Sequence, residues 1–395
     1  MVVPFRIDIA QGDLDDLRRR LEHTRWPSDL DNEDWSYGAN RAYLQEVVRY
    51  WLEVYDWRAQ ERAMNEYAHF KTTIDDIPIH FVHERGRGPS PTPIIFTHGY
   101  PMTFWDYHKL IRPLTDPAAF GGDPADAFDV IIPSLPGYGF SSPLRTTGVN
   151  FERTAELWVT LMRERLGYDR FAAEGGDWGT MVTSAMGHRY PEHLIGVHMT
   201  MAAPMEIWGG QPLPGREEFE ADEAHHFDEN VRAIAEAASH TSGTHILDPQ
   251  TQAYGLHDSP VAQLAWMTEI RRTWSDCGGD IERRFTKDEL ITSTMLYWLT
   301  ETYVTAARYY AEAARKPWKA IDDATPIVRA PTGLALFPRE VFVMPRKWNE
   351  TYYDLRNVSH LPAGGHFSAM EEPQLLAADI TDFFRALRGQ DQPQA

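Results

Sequence analysis

Apolar and polar residues follow two rhythms along this chain. Over residues 44–57 (LQEVVRYWLEVYDW) apolar side chains recur at three-and-four spacing, which predicts an amphipathic helix. Residues 13–23 (DLDDLRRRLEH) open on acidic groups suited to a helix N-terminus and predict a second. Residues 77–83 alternate instead. Residues 93–97 (PIIFT) and 129–133 (DVIIP) are short apolar runs closed by Gly/Pro-rich turns, the texture of buried parallel strands. Residues 171–174 predict a further strand, flanked by helices over 154–166 and 180–190. This alternation predicts an α/β fold with a doubly wound, mostly parallel sheet. From 204 to 324 strand signals stop, and Trp, Tyr and charged helical stretches dominate. Short strands resume over 332–337 and 352–358, and 372–387 closes with a helix. The expected organisation is an N-terminal helical extension (1–75), a first part of the sheet core (76–203), a helical cap (204–325) and a second part of the core (326–395). The tail 389–395 (GQDQPQA) is expected to be disordered.

Composition acts mainly by exclusion. Hydrophobic residues at 43% of 395 support a sizeable core and argue against disorder. The charge balance of 38 basic against 58 acidic residues, −20, repels phosphate backbones and anionic lipid, so no nucleic-acid or membrane partner is expected. The single Cys277 excludes an internal disulfide framework and fits a reducing cytoplasm, the expected location. The first ten residues, broken by Arg6 and Asp8, read as neither signal peptide nor span, and no run approaches the ~20 apolar residues a span needs. His225 and His226 sit in no recognised metal-ligand spacing, and Gly137-Tyr138-Gly139 lacks the third glycine of a dinucleotide loop. Neither metal nor cofactor is expected.

Three glycine-rich turns follow predicted strands: His98-Gly99-Tyr100-Pro101, Pro136-Gly137-Tyr138-Gly139 and Gly175-Gly176-Asp177-Trp178-Gly179. The last has the form of a nucleophile elbow, with Asp177 where a hydrolase usually carries Ser. That substitution changes the reaction class. An alkylated Ser becomes an ether that water does not readily cleave, whereas an alkylated carboxylate becomes an ester that water can attack. A carboxylate nucleophile therefore suits an electrophilic sp³ carbon, as in epoxides or alkyl halides. The bland alternative is a structural Asp in a tight turn. The ester needs a base, and His366 in Gly364-Gly365-His366-Phe367, after the last predicted strand, fits the hydrolase order of nucleophile, acid, histidine. A lone His is more often structural, and it is the GGH turn in this place that selects it. Glu340, which follows the strand TGLALF, is the chosen orienting acid, with Asp322, Asp323 and Asp354 as rivals.

The motifs HGYP, PGYGFS, GGDWG, FPRE and GGHF, in that order, resemble the α/β-hydrolase-fold epoxide hydrolases of the microsomal type. TRWP (24–27) and YAHFKT (67–72) resemble that family's N-terminal extension. The resemblance implies an α/β-hydrolase fold with a cap. It makes Asp177 the nucleophile, His366 the base and Glu340 its acid partner, with an oxyanion hole from the backbone N–H groups of Tyr100 and Trp178. It also implies two cap tyrosines that hydrogen-bond the epoxide oxygen. Tyr310 in Arg308-Tyr309-Tyr310 matches one and Tyr254 in Gln252-Ala253-Tyr254-Gly255 the other, although 257–260 is shortened against the family pattern. Tyr297, Tyr303 and Tyr309 are expected to be aromatic core. Membrane-bound members carry an anchor ahead of this region, so a soluble form is implied. Expected partners are an epoxide, bulky or aryl, and water, with a homodimer as the candidate assembly and detoxification or natural-product (antibiotic) biosynthesis as the setting. The rival enzyme is a haloalkane dehalogenase, which uses the same elbow Asp but places Asn where this chain has Tyr100. The non-enzymatic rival is a hydrolase-fold binding protein.

Overall fold

A computed structural model describes residues 1–237 and 241–390. Its strands are β1 (Val3–Phe5), β2 (His69–Ile74), β3 (Ile77–Glu84), β4 (Thr92–Thr97), β5 (Phe128–Pro133), β6 (Phe171–Gly175), β7 (Leu194–Met199), β8 (Val328–Leu336) and β9 (Tyr353–His360). They form one sheet in the order β1-β2-β3-β5-β4-β6-β7-β8-β9. From β5 to β9 all neighbours run parallel, whereas β1, β2 and β3 are joined antiparallel at one edge. The central strands are buried on both faces, with Ile94, Ile95, Val130 and Ile131 at 1% exposure or less, so their sequences read as unbroken apolar runs. β7 escaped that reading because Gly196 and His198 interrupt its run (LIGVHM).

The extension is more than helical. Helices Gln11–Glu22, Arg41–Glu53 and Trp57–Met64 lie between β1 and β2, and both strands join the sheet. Asp75 and Asp76, each at positive φ, form the two-residue turn between β2 and β3, so the expected boundary at 75/76 cuts through a hairpin. On its other side the extension grips the cap. Tyr50 donates to Asp288 at 3.0 Å, and Lys287 pairs with Glu46 at 3.0 Å.

Between β7 and β8 the described residues contain helices and no strand, among them Ala224–Ala237, Gly243–Leu247, Pro249–Asp258, Pro260–Trp274, Lys287–Leu299 and Tyr303–Arg315. The closing helix runs Pro373–Gln390 and takes in the first two residues of the expected disordered tail; 391–395 lie outside the described residues. Among the described residues no helix is long and apolar enough to cross a membrane.

Buried histidines stitch the sheet edge. His69 Nε2–H donates to the Met64 carbonyl (2.8 Å), so its Nδ1 accepts from His80 Nε2–H (2.9 Å), and His80 Nδ1 accepts from Ser134 Oγ (2.9 Å). With both rings neutral, every one of these bonds is made. Burial pushes down the pKa of His69, His80, His83, His98, His108 and His245, to about 4 for His83 and His98 and about 3 for His245. Burial also pushes two carboxyls up, Glu174 to about 8 and Glu371 to about 7. Between about pH 4.5 and 6.5 the unfolded chain therefore binds protons at more histidines than the native chain holds on carboxyls, so stability rises with pH across that window. Urea midpoints are expected to drop on going from about pH 7 to about pH 5; an unchanged midpoint would contradict this balance.

Candidate active site

β6 ends at Gly175 and the helix Trp178–Arg189 begins after a gap of two residues. In that gap Asp177 adopts φ +53° and ψ −122°, a strained conformation for a residue with a side chain. Close packing imposes it. A Cβ on Gly179 would lie 1.8 Å from the Thr97 carbonyl oxygen, and one on Gly99 would lie 2.0 Å from Asp177 Oδ1. Helix and strand thus meet backbone to backbone, and the Asp177 carboxylate is thrust out beyond the C-terminal ends of the parallel strands, where ligands bind in such sheets.

Loops from neighbouring strand ends converge there. The Tyr100 N–H, just beyond β4, donates to Asp177 Oδ1 at 2.7 Å. Trp178 opens the elbow helix, so its N–H has no acceptor within the helix. His366, in the loop after β9, places Nε2 at 3.4 Å from Asp177 Oδ2 and Nδ1 at 2.5 Å from Glu340 Oε1. Glu340 Oε1 also accepts the Val341 N–H at 2.6 Å, and Glu340 is buried, as is His366. Of the rival acids, Asp322 is exposed and pairs with Arg329, Asp323 is exposed, and Asp354 pairs with Arg356 within β9.

Burial by itself would lower the pKa of His366, but the carboxylates of Glu340 and Asp177 outweigh it and raise it to about 10. The resting ring is therefore an imidazolium held between two carboxylates. Sequence reasoning missed Trp274, whose ring packs against His366 at 5.1 Å and whose carbonyl accepts the His366 N–H at 3.1 Å. No local motif marks it, since it lies far from His366 in the chain.

Asp177 and His366 face a cavity of about 380 Å³, within the range of small-molecule sites. Its walls are largely apolar, including Trp178, Met181, Met201, Trp208, Ile246 and Phe342, and among the described residues the side-chain hydroxyls on them belong to Thr241, Ser242 and Tyr310. Tyr310 packs against Trp178 at 4.7 Å and Tyr100 at 5.8 Å. Burial, then the negative Asp177, push its pKa well above the ordinary phenol value, so it keeps its proton.

Tyr254 is not part of this site. It is 75% exposed on the helix Pro249–Asp258, whose inward face carries Ala253 and Leu256. The expectation of two cap tyrosines at the cavity is thereby corrected to one. The helical phase of Leu256 was the available signal. Tyr297, Tyr303 and Tyr309 are buried core: Tyr297 donates to the Met102 carbonyl (2.7 Å), and Tyr303 donates to Gln252 Oε1 (2.9 Å). His225, His226 and Glu229 do bring ligand atoms within 4.8 Å of one another, through a spacing the sequence reading passed over; His225 is exposed, and none of the three lines the cavity.

Residues 2–107 match the family "Epoxide hydrolase N terminus", and residues 92–269 match "alpha/beta hydrolase fold". A Stigmatella aurantiaca relative bearing an epoxide hydrolase name is 41% identical over 98% of this chain and 86% of its own. "Epoxide hydrolase 1" of Oryctolagus cuniculus is 36% identical over 96% of this chain and 88% of its own. The crystal structure of juvenile hormone epoxide hydrolase from the silkworm Bombyx mori superposes with a TM-score of 0.86 at 28% identity, covering 99% of this chain and 96% of that one. With an aspartate at the elbow and relatives matched along nearly its whole length, the chain belongs to the epoxide hydrolases of the α/β-hydrolase fold.

Proposed function

We propose that this enzyme opens an epoxide to a vicinal diol through a covalent ester on Asp177. The observation that carries the reading is the division of labour around one carboxylate. Oδ1 is held by the Tyr100 N–H, and Oδ2 faces His366 at the cavity. Oδ2 attacks an epoxide carbon and the C–O bond of the ring breaks. Tyr310 donates its phenolic proton to the departing oxygen, whose alkoxide is far more basic than a phenolate.

Esterification then changes the electrostatics. One of the two carboxylates flanking His366 loses its charge, so the imidazolium releases its proton, which replaces the one Tyr310 gave to the epoxide oxygen, and the ring becomes a base. It takes a proton from water, and the resulting hydroxide attacks the Asp177 carbonyl carbon. The developing oxyanion at Oδ1 lies on the Tyr100 and Trp178 N–H groups. On collapse the His366 imidazolium protonates the leaving oxygen, the diol departs, and the proton of the new Asp177 carboxylic acid returns to the ring, restoring the carboxylate and the imidazolium. Among the described residues the cavity walls carry no Lys or Arg. The substrate is accordingly a neutral, apolar epoxide, bulky or aryl.

Three outcomes test this mechanism. The His366→Gln variant is expected to form the ester but not hydrolyse it, gaining one substrate mass on a peptide containing Asp177, whereas Asp177→Ala gains none; diol turnover at wild-type rate in His366→Gln would overturn the assignment. Tyr310→Phe is expected to slow ester formation by about 10²–10⁴-fold in rapid-quench measurements, while Tyr254→Phe keeps the wild-type rate. Because the ester removes one flanking charge, single-turnover ester hydrolysis should show an acidic limb with an apparent pKa below the resting value of about 10. A limb at or above that value would contradict the charge release.

A further inference from the structure

The cap helix Pro260–Trp274 reaches past the cavity into the loop that carries the Tyr100 N–H. Its Arg271 is 1% exposed and does not line the cavity. Arg271 Nη2 donates to Asp106 Oδ1 at 2.6 Å, to the Pro101 carbonyl at 3.2 Å and to Ser293 Oγ at 3.2 Å. The guanidinium packs over Phe285 and over Phe367, the residue that follows His366, at 5.1 and 4.8 Å. Asp106 in turn accepts the Thr103 N–H on its other oxygen at 2.8 Å, so both ends of the 101–106 turn are tied to one cation. Two other residues of the same helix act nearby. Trp266 Nε1 donates to Tyr100 Oη at 2.8 Å, and the Trp274 carbonyl holds the His366 N–H.

We propose that Arg271 is a positioning residue, which locks the loop after β4 so that the Tyr100 N–H meets the Asp177 carboxyl, and through which the cap controls the reacting geometry. The inference rests on the reading of Asp177 and Tyr100 given above. A buried guanidinium is an expensive means of holding two helices together, since an apolar pair of the same volume often does so as well or better. What an apolar pair cannot do is hold a backbone carbonyl next to the oxyanion donor and a carboxylate five residues on through one charged nitrogen, Nη2, set between them. A displacement of ~1 Å at such a donor can cost about 10²-fold in rate.

The test uses the full-length enzyme. Arg271→Lys keeps the charge opposite Asp106, but its shorter side chain cannot place a nitrogen where Nη2 sits between Pro101 and Asp106, and kcat is expected to fall by roughly 10- to 100-fold, with KM within about twofold of wild type. Arg271→Met/Asp106→Asn removes both charges without stranding either, and the same fall in kcat is expected with a thermal midpoint near that of the wild type. Amide exchange of residues 98–106 should quicken in Arg271→Lys, a readout that needs no turnover. Wild-type kcat in either variant, or a raised KM at unchanged kcat, would overturn the proposal. Loss of the folded state in both variants would make Arg271 a staple of the fold and overturn it equally. If the wild type turned over no epoxide, the functional reading would fail, while the exchange measurement would still judge Arg271.

Discussion

Between Gly179 and the Thr97 carbonyl there is no room for a side chain, and much of the molecule is arranged around that contact. It lets the elbow helix lie directly against β4, and the two-residue gap left after β6 obliges Asp177 to take a positive φ. Strain of this kind survives only where surrounding structure over-determines the backbone. Here β4 and β7 flank β6, and the elbow helix is buried from Trp178 to His188. A carboxylate so placed cannot retreat into the fold, and it stands where the loops after β4, β8 and β9 can reach it.

The electrostatics follow from that placement. Two carboxylates and one imidazole share a largely buried corner, and the ring carries a proton because each side of it is negative. Glu340 Oε1 is committed to the ring and to the Val341 N–H, which brings its charge against His366. The same low-dielectric surroundings hold the Tyr310 phenol protonated. An apolar cavity wall therefore does more than admit an apolar substrate. It sets which groups near Asp177 carry protons.

The outer layers contribute through the cap. The N-terminal extension inserts β1 and β2 into the sheet edge and anchors its helices on Lys287–Leu299 through Tyr50, Tyr55 and Glu46. The cap in turn touches the loops of the site through Trp266, Arg271 and Trp274. Extension, cap and core thus form one chain of contacts leading to a single carboxylate.

The α/β class, the elbow and its aspartate, and the histidine and acid brought to it were legible in the sequence, because each depends on local pattern: buried strands read as apolar runs, and tight turns demand glycines. The strands β1, β2 and β7 were less visible, being short, polar or broken by Gly196 and His198. Tyr254 shows where local pattern ends. Its neighbourhood matched a family motif, but a one-residue difference in helical phase turns a side chain by about 100°, and only packing of Ala253 and Leu256 decided which way it faced. Arg271 and Trp274 lay beyond sequence reasoning for a related reason. Their partners, Pro101, Asp106 and His366, are distant in the chain, and a charge buried at 1% exposure is intelligible only once the opposing carboxylate and carbonyl stand beside it. The sequence by itself determined which chemical groups were available and which turns would present them; the tertiary structure decided which of those groups meet, because contact between remote segments depends on how the faces of whole helices and strands pack.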